Sequence, residues 1–130
     1  MLYKGFSRTI LVIGDNLMAR KTVSRNLAYY EYEVLEGTTT EGIALFHEKP
    51  HDIGLVIVDT TADDPAGEGV ISQLREVNPE VQVGLCADLS PTERRGDSKG
   101  IVGIVRKPVQ MNRLLALVRS VIKDDAENAE

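Results

Sequence analysis

At 130 residues, 42% hydrophobic and 27% charged, the chain has the make-up of a single globular domain and is too short for two full cores. A formal net charge of -5 repels phosphate backbones, which argues against direct nucleic-acid binding. The only cysteine, Cys86, rules out an intrachain disulfide and fits a reducing compartment, so a cytoplasmic location is expected, and the first apolar run, Ile10 to Ile13, is too short for a signal core or a membrane span.

Thr9 to Ile13 reads as the first strand. Leu17 to Ala28 has helical spacing, with Val23 and Leu27 facing inward. Tyr32 to Glu36 alternates apolar with charged residues, the pattern of an exposed edge strand. Thr38 followed by Glu41 forms a capping box that opens a second helix, and Pro50 lies just past its far end. Ile53 to Val58 predicts a strand, and Gly67 to Val77 a helix with Val70, Ile71 and Leu74 inward. Val81 to Leu85 predicts the next strand. Ser90 to Gly100 holds Pro91, Arg94, Arg95 and two glycines with almost no apolar residue, so a helix there is short or absent. Ile101 to Val105 predicts the last strand. Met111, Leu114, Leu115, Val118, Val121 and Ile122 then fall on one stripe of a core-facing helix. The domain is expected over residues 1–123, with 124–130 a solvated acidic tail or linker remnant.

Most of these strands are almost continuously apolar, which a parallel sheet covered by helices on both faces requires. Strands alternating with helices give a doubly wound α/β sheet, and ligands of such sheets bind beyond the carboxyl ends of the strands. Those ends carry Gly14, Asp15 and Asn16, then Asp59, Cys86, and Lys107 with Pro108. A carboxylate closing the apolar run Leu55 to Val58 is costly to desolvate without a partner, which marks Asp59. The plainer readings are a strand-ending turn for Asp59, a helix cap for Asp15 and a solvated surface lysine for Lys107. Asp63 and Asp64 read as loop residues. His47 and His51 read as surface residues at the opposite end of the sheet.

Over about residues 8–123 the chain resembles the response-regulator receiver domain. The resemblance is carried by Ile10 to Asn16, by Asp59 at the phosphoacceptor position, by Lys107-Pro108, and by Gly67 and the Leu74-Arg75 pair. It implies a flavodoxin-like (βα)5 fold with five parallel strands in the order 2-1-3-4-5. It also implies transfer of a phosphoryl group from a histidine kinase or phosphotransfer domain to Asp59, as part of a two-component phosphorelay. Mg²⁺ would be held by Asp15, Asp59 and the backbone carbonyl of Thr61, and Lys107 would act as a point charge on the phosphoryl oxygens. Such a domain is not an enzyme beyond its own phosphorylation. It works with a fused or separate output domain, and some form homodimers.

Four positions depart from the family pattern. Gly14 stands where the first of two acids is usual, which leaves two carboxylates and a weaker Mg²⁺ site. Cys86 replaces the usual threonine or serine, Ile104 the usual aromatic, and the proline after the phosphoacceptor is displaced to Pro65. These departures support an alternative, a pseudo-receiver that serves as an interaction module and is not efficiently phosphorylated. A redox role for Cys86, with Lys107 lowering its pKa, is less favoured than a small buried hydrophobe. A flavin or nucleotide enzyme is disfavoured because no glycine-rich loop follows any strand.

Overall fold

The computed structural model describes residues 8–89, 92–94 and 99–122. In chain order these form β1 (Thr9–Ile13), α1 (Leu17–Tyr29), β2 (Glu33–Gly37), α2 (Thr39–Glu48), β3 (Leu55–Asp59), α3 (Glu68–Val77), β4 (Val83–Ala87), β5 (Ile101–Arg106) and α4 (Met111–Val121). The strands make one parallel sheet in the order β2-β1-β3-β4-β5, as expected from the sequence.

Side chains alternate between the faces of a strand, so the apolar run Ile10 to Ile13 of β1 feeds two cores at once. Ile10 and Val12 join Leu27, Ile57, Leu114 and Val118 on one face. Leu11 and Ile13 join Phe46, Val56, Ile71 and Leu74 on the other. Each large side chain removed from water contributes roughly 1.5–3 kcal/mol.

The helix starts are fixed locally. Thr38 and Glu41 form the expected capping box, at 3.2 Å from the Thr38 hydroxyl to the Glu41 N–H and 3.0 Å in the return direction. The cap of α1 differs from expectation. Asn16 Oδ1 accepts from the Ala19 N–H at 2.9 Å, and Asp15 is left for another task. Gly67 precedes α3 at φ 70°, a left-handed conformation that favours glycine, and a Cβ there would approach Leu85 Cδ2 to 2.9 Å.

Two strands begin two residues later than the hydrophobic pattern suggests. Ile53 and Val81 are buried, but they belong to the chain leading into β3 and β4, where Val81 closes a turn onto the Asn78 carbonyl. Both strands also end later than expected, at Asp59 and Ala87, which makes Asp59 the last residue of β3 and places Cys86 inside β4. β2 is an edge strand, yet Tyr32 before it is buried and Arg8 stacks over its ring. Between β4 and β5 there is no helix among the described residues; Ser90, Pro91 and 95–98 lie outside them, as do 123–130. No helix of the described residues is long and apolar enough to cross a membrane.

Candidate functional site

The parallel register lines up the carboxyl ends of β1, β3, β4 and β5, and the sequence-marked side chains meet there. Asp59 pairs with Cys86 across β3 and β4, and Lys107 follows β5 directly. Lys107 Nζ lies 2.9 Å from Asp59 Oδ1 and donates to the Thr60 carbonyl at 2.8 Å. The lysine is therefore anchored in the cleft. Asp15, Asp59, Thr61 and Lys107 all line one cavity of about 730 Å³.

Asp15 does not cap its own helix. Its Oδ1 accepts from the Thr39 N–H, the first residue of α2, at 2.8 Å, where the helix dipole favours a carboxylate. Thr61 uses one lone pair of its carbonyl on the Asp64 N–H at 3.1 Å and keeps a second. Asp64 accepts from Gly69 and Val70 N–H groups at the first turn of α3, so its charge is used on that helix. Asp63 is exposed beside a smaller hollow of about 260 Å³ that Asp15 and Asp59 also line. His47 and His51 are exposed, and neither lines these cavities.

Cys86 is 1% exposed. Burial pushes its thiol up to about 12, the Asp59 charge adds to the shift, and Lys107 opposes it. A buried thiol held neutral is a poor nucleophile, which overturns the redox reading and leaves the small-hydrophobe one.

Two residues that pattern reading missed brace the rim. Arg20, on α1, donates from Nη1 to the Gly14 carbonyl at 2.7 Å and pairs through Nε with Glu36 Oε1 at 2.8 Å. Lys21 holds the other oxygen of Glu36 at 3.0 Å. Burial raises the Glu36 carboxyl, but the hydrogen bonds and charges of Arg20 and Lys21 outweigh it and leave the group below its ordinary value. The signal was present: Arg20 lies three and seven residues before Val23 and Leu27, on their buried stripe. Gly14 sits tightly against Asp59, since a Cβ there would lie 3.1 Å from Asp59 Cβ.

No family model matches the chain, and no curated protein matches it. Solved structures do. A response-regulator receiver domain protein from Clostridium thermocellum is 24% identical at a TM-score of 0.74, covering 88% of this chain and 93% of its own. CheY in a complex with CheX, beryllofluoride and Mg²⁺ from Borrelia burgdorferi is 18% identical at 0.72, covering 89% and 90%. The receiver domain of Ssk1 from Saccharomyces cerevisiae, solved with the histidine phosphotransfer protein Ypd1, is 12% identical at 0.73, covering 90% of each chain. The chain has the receiver fold. Within that fold Asp59 ends the third strand and Lys107 follows the fifth, while Gly14, Cys86 and Ile104 occupy the positions where the sequence departs from the pattern. Cys86 lines the same cavity as Asp59 and presents no hydroxyl to it. Ile104 is half-buried on β5.

Among the described residues no group of three or more His, Cys, Asp or Glu is arranged to hold a metal. Mg²⁺ needs less than that. It keeps several waters and is commonly bound through one or two carboxylates, so Asp15, Asp59 and the remaining lone pair of Thr61 on one cavity wall are a donor set that fits it.

Proposed function

We propose that this protein is a phosphoacceptor signalling module, in which Asp59 receives a phosphoryl group from a phosphohistidine of a histidine kinase or phosphotransfer domain. The observation that carries the reading is the Lys107 to Asp59 ion pair at 2.9 Å, on a cavity that Asp15 and Thr61 also line. In the reaction an Asp59 oxygen forms a bond to phosphorus as the phosphorus–nitrogen bond breaks, and the nitrogen leaves with the electron pair. Lys107, already tied to Thr60, turns its ammonium from the carboxylate to the phosphoryl oxygens. Bound Mg²⁺ would neutralise charge on the transferring group, held by Asp15, Asp59 and the Thr61 carbonyl. Arg20 and Glu36 keep the Gly14 to Asp15 turn in place. The proposal extends to an output domain or partner surface, a cytoplasmic setting and a domain spanning 1–123; none of these bears on the chemistry.

A pseudo-receiver is the second reading, favoured by the missing acid at Gly14 and the missing hydroxyl at Cys86. One experiment separates the two. The protein is incubated with Mg²⁺ and acetyl phosphate and analysed by intact mass and peptide mapping. The first reading predicts the mass of one phosphoryl group on the Asp59 peptide, absent in Asp59→Asn and without Mg²⁺. No adduct under any condition, with a folded control, supports the second.

A further inference from the structure

The two edges of the sheet are built differently. β2 carries Glu33 and Glu36, and charged side chains are a common protection of an open edge. β5, the opposite edge, has no charge from Ile101 to Val105, and among the described residues only β4 pairs with it. The Lys107 N–H bonds inward to the Ala87 carbonyl at 2.8 Å. Successive residues of a strand point their backbone groups to opposite sides, so the N–H and C=O of Ile104 and Arg106 turn outward along the open edge. Beside them a hollow of about 470 Å³ separates the edge from α4, with Gly103, Val105, Arg113, Ala116 and Leu117 on its walls. Ile104 and Leu117 are half-buried and Ala116 is exposed, which leaves apolar surface for an added strand to cover.

This edge is complementary to itself. When two copies are set antiparallel about a two-fold axis through Val105, Ile104 of each faces the partner's Arg106, and each such pair exchanges two N–H···O bonds. The Arg106 stem then lies over the partner's Ile104, while its own Glu93, at 3.8 Å, offsets its charge. Arg113 meets only the Gln110 amide oxygen, at 3.2 Å, among the described residues. α4 starts at the carboxyl end of β5 and packs back against that strand, so the chain past Ile122 leaves near the start of β5. Asp124, Asp125, Glu127 and Glu130 follow there in the sequence. The two-fold sets that end of one copy beside the partner's Arg106 and Arg113, which makes the charges complementary. We propose that two copies of this chain pair edge to edge through β5, joining their five-stranded sheets into one. Pairing uses up the apolar edge of each copy, so assembly stops at two. It needs no phosphoryl chemistry and holds whether or not Asp59 is an acceptor.

The test is sedimentation velocity from about 10 µM to about 1 mM protein, with amide hydrogen exchange at both ends of that range. A small interface pairs weakly, so monomer at the dilute end and dimer at the concentrated end are expected, with a Kd of roughly 0.1 mM. Exchange at the Ile104 and Arg106 amides should slow about fourfold on concentration, while the Lys107 amide, bonded inward, exchanges alike at both ends. Arg106→Pro removes an outward N–H and no bond to β4, and Ile104→Lys puts a charge on the edge. Each should stay monomeric at the concentrated end with unchanged circular dichroism, and if one variant unfolds the other decides. No association up to about 1 mM, association past two copies, a dimer whose Ile104 and Arg106 amides exchange as fast as in the monomer, or a dimer that survives in a folded variant would each overturn the proposal.

Discussion

Replacing Lys107 by methionine keeps most of the side-chain volume and removes the charge that faces Asp59. At 2.9 Å, and with an effective dielectric of about 20, the raw attraction is about 6 kcal/mol. Desolvation cancels most of it, because the two side chains retain only 26% and 16% of their exposure. Exposed pairs contribute about 0–1 kcal/mol, and loss of one partner from a fully buried pair costs about 3–5. Lys107→Met should fall between, at about 2 kcal/mol, part of it from the lost hydrogen bond to the Thr60 carbonyl. The pairwise part is isolated by a cycle of wild type, Lys107→Met, Asp59→Asn and the double variant, unfolded in urea without divalent cations. A coupling of about 1–2 kcal/mol is expected. Additivity to within about 0.3 kcal/mol would show that the two groups do not interact, and would refute the site geometry.

Cys86 in the folded protein should resist thiol reagents at pH 8 and react only on unfolding, as followed by mass spectrometry. Its folded pKa, about 12, is raised above the unfolded value, so the neutral thiol contributes stability fully present below the unfolded pKa and lost as pH rises toward 12. Cys86→Ala should therefore lose less stability than wild type over that alkaline window in urea titrations. Gly14→Asp puts a second carboxylate beside Asp59, with its Cβ 3.1 Å from that of Asp59. Stability in EDTA should fall by about 1–2 kcal/mol from crowding and like-charge repulsion, while Mg²⁺ affinity by calorimetry rises about tenfold.

The sheet was legible because continuous apolar runs have few alternatives to strands buried on both faces, and because Thr38 with Glu41 announces a helix start chemically. The strand limits were not, since Ile53 and Val81 are apolar and buried without lying in the ladder. Asp59 and Lys107 could be read because each charge breaks or follows an apolar strand. The use of Asp15 could not, because its partner is a backbone N–H on a distant helix, and neighbouring Asn16 competes for the same capping role. Arg20 was hidden by type: an arginine on a helix reads as solvent-facing until Glu36 and the Gly14 carbonyl are seen across from it. The cavity beside Asp59 was not legible, because a sequence does not show which space its folded side chains leave unfilled.

In the proposed function Asp59, Lys107 and Asp15 form one cleft that holds a phosphoryl group together with a divalent cation. Beryllofluoride, which mimics that group on a carboxylate, tests it without a kinase, read by fluorine and amide resonances with and without Mg²⁺. Saturable, Mg²⁺-dependent binding that shifts the Asp59, Thr60 and Lys107 amides and disappears in Asp59→Asn is the expected result. No binding at saturating Mg²⁺, or binding that persists in Asp59→Asn, would contradict it.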